Sequence, residues 1–132
     1  MGGYATGGIA WNLAIRDGLV YLADLNAGVV VVDVSNPAEP QRVGGYAVGA
    51  LGIALQGTYA YVACGGNGVH VLDITDPTSP RRVGSCAVPG AYAIAVSGDS
   101  AYVVDFNAGL LVVIGITNAS AAAGDRDLPN RT

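Results

Sequence analysis

Charge is scarce in this chain: only 12% of its 132 residues are charged, and the net charge of −4 comes from scattered side chains. Without a basic stripe or a Lys/Arg cluster there is little to neutralise a phosphate backbone, so nucleic acid is not an expected partner. Long apolar runs are missing too. None approaches the roughly 20 residues of a membrane helix, which speaks against membrane insertion. The opening "MGGYATGG" has neither the charged start nor the apolar stretch of a secretory signal, so these residues indicate no compartment. Histidine occurs once, as His70, and cysteine twice, as Cys64 and Cys86. No second histidine or cysteine pair stands at metal-ligand spacing from His70, which argues against zinc. Phosphate loops, serine elbows and paired-carboxylate motifs are also missing. No metal and no cofactor is expected, and the balance leans away from an enzyme.

What the chain does have is apolar residues (52%) and glycine (20 residues). So few charges cannot cover a small isolated globule, and much of the apolar surface is expected to lie against other protein. The length suits one domain with a modest core. Glycine and valine recur in a pattern. "GVVVVDVSNPAEPQRVG" (Gly28 to Gly44) returns 40 residues later as "GVHVLDITDPTSPRRVG" (Gly68 to Gly84). "LVYLADLNAG", "YAYVACGGNG" and "SAYVVDFNAG" extend the repeat to three copies, with Tyr21, Tyr61 and Tyr102 in register. Cys64 and Cys86 each stand where other copies carry another residue, which argues against a built-in disulfide.

A period of 40 or 41 residues fits helical pairs or four-stranded propeller blades, and the side-chain pattern selects strands. Ahead of each tyrosine segment, "WNLAI", "LGIAL" and "YAIAV" alternate large with small residues, giving one bulky face and one flat face. That segment is strand a of a repeat, and the tyrosine segment is strand b. "VVVVDV", "VHVLDI" and "LLVVIGI" are strand c; "QRVGGYAV" and "RRVGSCAV" are strand d. Gly28, Gly68 and Gly109 supply the positive φ of a tight b–c hairpin. The two prolines of "SNPAEP" and "TDPTSP" keep the c–d connection out of the ladder. Asp33 and Asp73, with Ser35 and Thr75, are placed to accept backbone N–H groups there. Arg42 and Arg82 are candidates to bridge to those aspartates. The flat residues Ala14, Ala54 and Ala95 are expected to be buried against a neighbouring blade.

These repeated segments, "GVVVVDVSNPAEPQRVG" and "GVHVLDITDPTSPRRVG" with "YLAD" or "YVAC" upstream, resemble the LVIVD-repeat family of β-propellers. The resemblance covers residues 2 to 118 and is weakest in the third copy, where Ile114 and Gly115 replace the aspartate region and both prolines are missing. It implies an all-β propeller of four-stranded blades and a bacterial or archaeal, exported or surface-associated protein. It implies no shared catalytic residues. On this reading the blades are 7–48, 49–88 and 89–118, the last combined with a strand over 2–6, and 119–132 is a flexible tail.

"GGYAT" (Gly2 to Thr6) aligns with "GGYAV" (Gly44 to Val48), so the strand order is d, abcd, abcd, abc. Known propellers use about 4 to 8 blades, which three cannot match. Closure by oligomerisation is expected, with the chain itself as partner. A homodimer of six blades is favoured over a homotrimer of nine, and Gly2 to Thr6 pairs with strand c over Leu110 to Ile116. The function expected is a non-enzymatic binding or scaffold module acting through that ring, its ligand open. Two alternatives stand beside it: an enzyme or metal-dependent binder with a site at the ring axis, and a fragment or engineered piece of a longer propeller.

Propeller strand order gathers the b–c and d–a loops on one face, where ligand sites usually lie. The candidates there are Asp24, Asn26, Asn67, Asp105 and Asn107 from the b–c turns, with Trp11, Asn12 and Tyr92 at the starts of strand a. Asp and Asn oxygens suit a hard cation such as Ca²⁺, but the same residues are the usual builders of glycine-terminated turns, and that second reading is favoured. Trp11 and Tyr92 suit an aromatic platform, yet Leu51 fills the same repeat position, which favours packing. His70 is expected to be a partly exposed strand residue. Cys64, six residues before it, has little claim to be a catalytic nucleophile.

Overall fold

The computed structural model describes residues 2–114, with eleven strands and no helix among them. β1 (Ala10–Arg16), β2 (Leu19–Asp24), β3 (Gly28–Asp33) and β4 (Gln41–Tyr46) form the first sheet. β5 (Gly52–Gln56), β6 (Tyr59–Ala63), β7 (Val69–Asp73) and β8 (Arg81–Cys86) form the second. β9 (Ala91–Ser97), β10 (Ser100–Asp105) and β11 (Gly109–Ile114) form a third sheet, three-stranded in the described residues. Each sheet is an antiparallel meander in chain order, as the a–b–c–d reading requires. The expected end of the last strand at Ile116 and the tail 119–132 lie outside the described residues.

Gly2 to Thr6 forms no ladder with another described residue of its own chain. The strand expected there has its partner, strand c, in another copy.

Register sorts each sheet into two faces. On the first sheet Ala14, Tyr21 and Val31 stand in one row, with Ala23 and Val29 beside them. Leu13, Leu22 and Val30 share the opposite, bulky face. Two hydrophobic cores form where a flat face meets the next sheet's bulky face. Tyr21, Ala23, Val29 and Val31 pack on Ile53, Val62 and Leu72, with Ala14 and Leu55 at the margin. One blade on, Tyr61, Ala63, Val69 and Val71 pack on Ile94, Val103 and Val113, with Ala54 and Val96 at the margin. Alanine at the flat positions is what lets the next sheet approach. Gly52 goes further: a Cβ there would lie 3.0 Å from Ala93 Cα.

Ala14 and Ala54 are half-buried at these joints, as the alternation predicts, but Ala95 is exposed. The physical reason is position, since no described sheet follows the third. The tyrosine row shows the same step: Tyr21 and Tyr61 are 3% and 0% exposed, Tyr102 39%. Tyr61 is enclosed so fully that its hydroxyl is buried without a hydrogen-bond partner among the described residues, and burial pushes that phenol up to about 12.

Smaller contacts repeat from joint to joint. The Arg16 guanidinium donates to the Gly57 carbonyl in the next a–b turn, and Gln56 Nε2 donates to the Gly98 carbonyl at 2.7 Å. The c–d turns are built by aspartate: the Ser35 and Thr75 N–H groups donate to Asp33 and Asp73, each at 2.8 Å. The Ser35 hydroxyl donates to Asp33 rather than accepting a backbone N–H. The expected arginine bridges are also corrected. Asp73 pairs with Arg81 at 3.3 Å, because Arg81 is its register partner while Arg82 points to the other side of the strand.

Candidate binding face

The b–c and d–a loops do share one face. The Ala50 N–H donates to the Asp24 carbonyl, Phe106 N–H to the Gly90 carbonyl, and Gly65 and Ala91 exchange both bonds. The a–b and c–d loops meet on the other, where the Val34 N–H reaches the Gly18 carbonyl and the Ile74 N–H the Thr58 carbonyl. Asp24, Asn26, Asn67, Asp105 and Asn107 are thus brought to the first face, with Trp11, Asn12 and Tyr92 at its inner side.

Asp24 and Asp105 are buried, 0% and 2% exposed, and their oxygens are engaged in the turns. Asp24 Oδ1 accepts from the N–H groups of Asn26 and Ala27, and Oδ2 from the Thr6 hydroxyl at 2.5 Å. Asp105 Oδ1 accepts from Asn107 and Ala108, and Oδ2 from the Gly90 N–H. Burial pushes the Asp24 carboxyl up, but its hydrogen bonds from Ala27, Thr6 and Asn26 more than offset this and hold it below the ordinary range. The N–H groups of Ala108 and Asn107 hold Asp105 low in the same way. Both carboxylates are therefore the charged hubs of their turns, the role that the repeat pattern favours. Asn26, Asn67 and Asn107 stand exposed at the turn tips. Asn12 is also exposed, and its Oδ1 accepts from the Leu13 N–H at 2.7 Å.

The aromatic residues do more than pack. Trp11 and Tyr92 come from the first and third sheets, yet their rings meet edge to face with centroids 6.3 Å apart. Phe106 joins them, 4.8 Å from Tyr92. The three remain 50%, 37% and 65% exposed. Bulges put the first two there. The β1–β2 register skips Trp11 between Ala10 and Asn12, and the β9–β10 register skips Tyr92 between Ala91 and Ala93. An extra residue in one strand bends it and re-aims a side chain, here toward the inner end of the blades. Sequence reasoning left Phe106 out of the aromatic group. Its signal is a lone aromatic at a turn position filled by Leu25 and Gly65 in the other copies. A shallow groove of about 580 Å³ lies beside the cluster's blade, lined by Gly66, Asn67, Ala87, Val88 and Pro89. The opposite face has a polar hollow of about 210 Å³ over Asp33, Ser35, Asn36, Glu39 and Gln41, which is the concavity of a c–d turn.

His70 and Cys64 do not act as a pair. His70 is 8% exposed, not partly open to solvent, because the first sheet covers it. Its Nδ1 lies 3.1 Å from the Tyr46 hydroxyl, and burial, with Arg82 nearby, holds the imidazole below its ordinary range. Burial pushes the Cys64 thiol up to about 12, so the thiolate a nucleophile requires is not formed at neutral pH. Both cysteines are buried.

The LVIVD repeat pattern matches the chain three times, over residues 7–48, 49–88 and 90–123, and the chain belongs to the LVIVD-repeat family. Among solved structures it resembles the crystal structure of the computationally designed Ika8 protein, with a TM-score of 0.63 at 12% identity. That likeness covers 80% of this chain and spans about a third (33%) of the designed one, and it speaks to fold alone. No curated protein matches the chain.

Proposed function

Taking the chain as an LVIVD-repeat protein, we propose that it is a non-enzymatic propeller module whose copies join head to tail into a ring, a scaffold that presents the b–c face for binding. One observation carries this reading: the two outermost faces are the two halves of the joint that the chain already makes twice. Leu13 and Ile15, on the bulky side of β1, are 55% and 63% exposed, whereas Ile53 at the position of Leu13 is 4% exposed. On the flat side of the third sheet Tyr102, Val104 and Leu110 are 39%, 44% and 58% exposed, whereas their counterparts Tyr61, Ala63 and Val69 are fully buried. Apolar patches of this kind on a small chain are interaction surfaces. A second copy brings the complementary shape, because each interior joint is already this bulky face on this flat face. Joints of this type are heterologous and close into rings when the rotation per copy allows.

Two copies give six blades, within the range of about 4 to 8 that propellers use, and three give nine. Light scattering at micromolar concentration tests the reading. The expected mass is twice that of the 13.2 kDa chain. A folded monomer overturns the ring. In such a ring the Trp11–Tyr92–Phe106 cluster, flanked by the asparagine-tipped turns, is the surface offered to a ligand.

A further inference from the structure

We propose that Gly2 to Thr6 of one copy is the fourth strand of its neighbour's third sheet, with Tyr4 opposite Leu110; this rests on the ring reading and adds a blade built from two chains. The segment is already held where such a strand belongs. Gly44, in β4 of the first sheet, sits against the c–d turn of the second, where a Cβ would lie 2.3 Å from the Pro77 carbonyl oxygen. Gly2 sits against the c–d turn of the first sheet in the same way, where a Cβ would lie 2.1 Å from the Pro37 carbonyl oxygen. Relative to the first sheet, then, Gly2 occupies the place that Gly44 occupies relative to the second. The Thr6 hydroxyl anchors the other end on Asp24.

The edge to be filled is equally defined. β3 and β7 each pair on both sides, the second time with β4 and β8. β11 pairs only with β10 among the described residues. Residues 115–132 contain no copy of the "RVGGYAV" element. The register follows from the repeats. Gly44, Gly45 and Tyr46 stand opposite Val31, Val30 and Val29. Transposed through "GGYA", Gly2, Gly3 and Tyr4 stand opposite Val112, Leu111 and Leu110.

Two requirements that were not used to build this arrangement are met by it. Tyr4 joins the row Ala93, Val104 and Leu110 on the flat side, adding cover beside Leu110. That flat side is the one that receives Leu13 and Ile15, and the copy supplying them is the copy supplying Tyr4. A single docking therefore satisfies the backbone edge and both apolar faces. Main-chain hydrogen bonds give such strand addition its affinity, while alternate side chains fix its register.

Oxidative cross-linking of the full chain tests this. Opposed cross-strand residues have Cα atoms about 4.5–5.5 Å apart, within disulfide reach. Tyr4→Cys with Leu110→Cys is expected to yield a covalent dimer, and Tyr4→Cys with Leu111→Cys, whose side chains point to opposite faces, at least about tenfold less. Assembly seen by light scattering without that cross-link overturns the strand and leaves the ring standing. A monomer without the cross-link overturns both. An intramolecular disulfide in a monomer overturns the two-chain blade. Should the cysteine variants fail to fold, amide exchange in the unaltered protein decides. Amides of residues 3–5 and 110–112 are expected to exchange at least about tenfold more slowly in the assembled protein than after dilution to monomer. Equal rates overturn the proposal.

Discussion

The interior joints and the two outer faces are made of the same repeat positions, yet one set is dry and the other is wet. Ile53 is 4% exposed and Leu13, its counterpart one repeat earlier, is 55% exposed. Tyr61 is fully buried and Tyr102 is 39% exposed. The residue types hardly differ, so the contrast is one of neighbours and not of composition. A repeat unit cannot bury its own apolar faces; it can only bury those of the unit beside it. The outer faces accordingly keep the chemistry of a joint without its partner.

The largest effect expected from breaking this comparison is at the joint itself. Ile53→Ala removes a buried side chain between the first two sheets and is expected to cost about 2–5 kcal/mol of folding stability in denaturant titrations. Leu13→Ala, measured in dilute monomer, is expected to stay within about 0.5 kcal/mol of the parent while weakening self-association. Equal losses in the monomer contradict the assignment of faces.

Overpacking should divide along the same line. Ala54→Leu forces a larger side chain into the second joint, for an expected cost of roughly 1–3 kcal/mol in the same titration. Ala95→Leu has open space in the monomer and is expected to be nearly neutral there, but to obstruct assembly. A neutral Ala54→Leu means that the flat face is drawn on the wrong side.

Tyr61→Phe sharpens the contrast from the other direction. Its hydroxyl is buried with no partner among the described residues, so removing it is expected to raise stability by about 1 kcal/mol, whereas Tyr102→Phe leaves it unchanged. A destabilised Tyr61→Phe would reveal a partner for that hydroxyl, most simply a buried water.

The smallest effect concerns the inner clasp. Arg16 and Gln56 each reach the turn of the next blade, but the third repeat has Ser97 at this position and Asp17 at the matching turn. Asp17 takes the same left-handed conformation as the glycines it replaces, φ 53° against 59° and 62° for Gly57 and Gly98. A joint between copies therefore lacks one hydrogen bond that the interior joints have. Ser97→Gln is expected to restore it and tighten dimerisation by about 3- to 10-fold, the equivalent of one net hydrogen bond, in dilution measurements. No change would show that the copies meet by a different geometry from the blades within a chain.

Much of this molecule is legible as text. The alternation in "WNLAI", "LGIAL" and "YAIAV" is local, since successive strand residues point to opposite faces, so strands, faces and blade boundaries follow from it. The glycine-terminated turns and the aspartates that build them follow for the same reason. The candidate face is less legible. Asp24 and Asp105 were placed on it with the turn role favoured, and their hydrogen bonds support that role. Trp11 and Tyr92 were weighed together as an aromatic platform and set aside in favour of packing; those residues lie 81 positions apart in sequence, and the bulges that turn them inward carry no composition signal of their own.

By itself, then, the sequence determined the repeat, its period, the strand order and the division of each strand into bulky and flat faces, all properties of short-range stereochemistry. Only the tertiary structure decided which copies of those faces are covered. It buried His70 against Tyr46, paired Arg81 and not Arg82 with Asp73, left Ala95 open, and seated Gly2 on the Pro37 turn. Each outcome depends on which sheet stands next in space, and a repeat that reads almost the same three times holds no local mark of which copy has a neighbour on both sides.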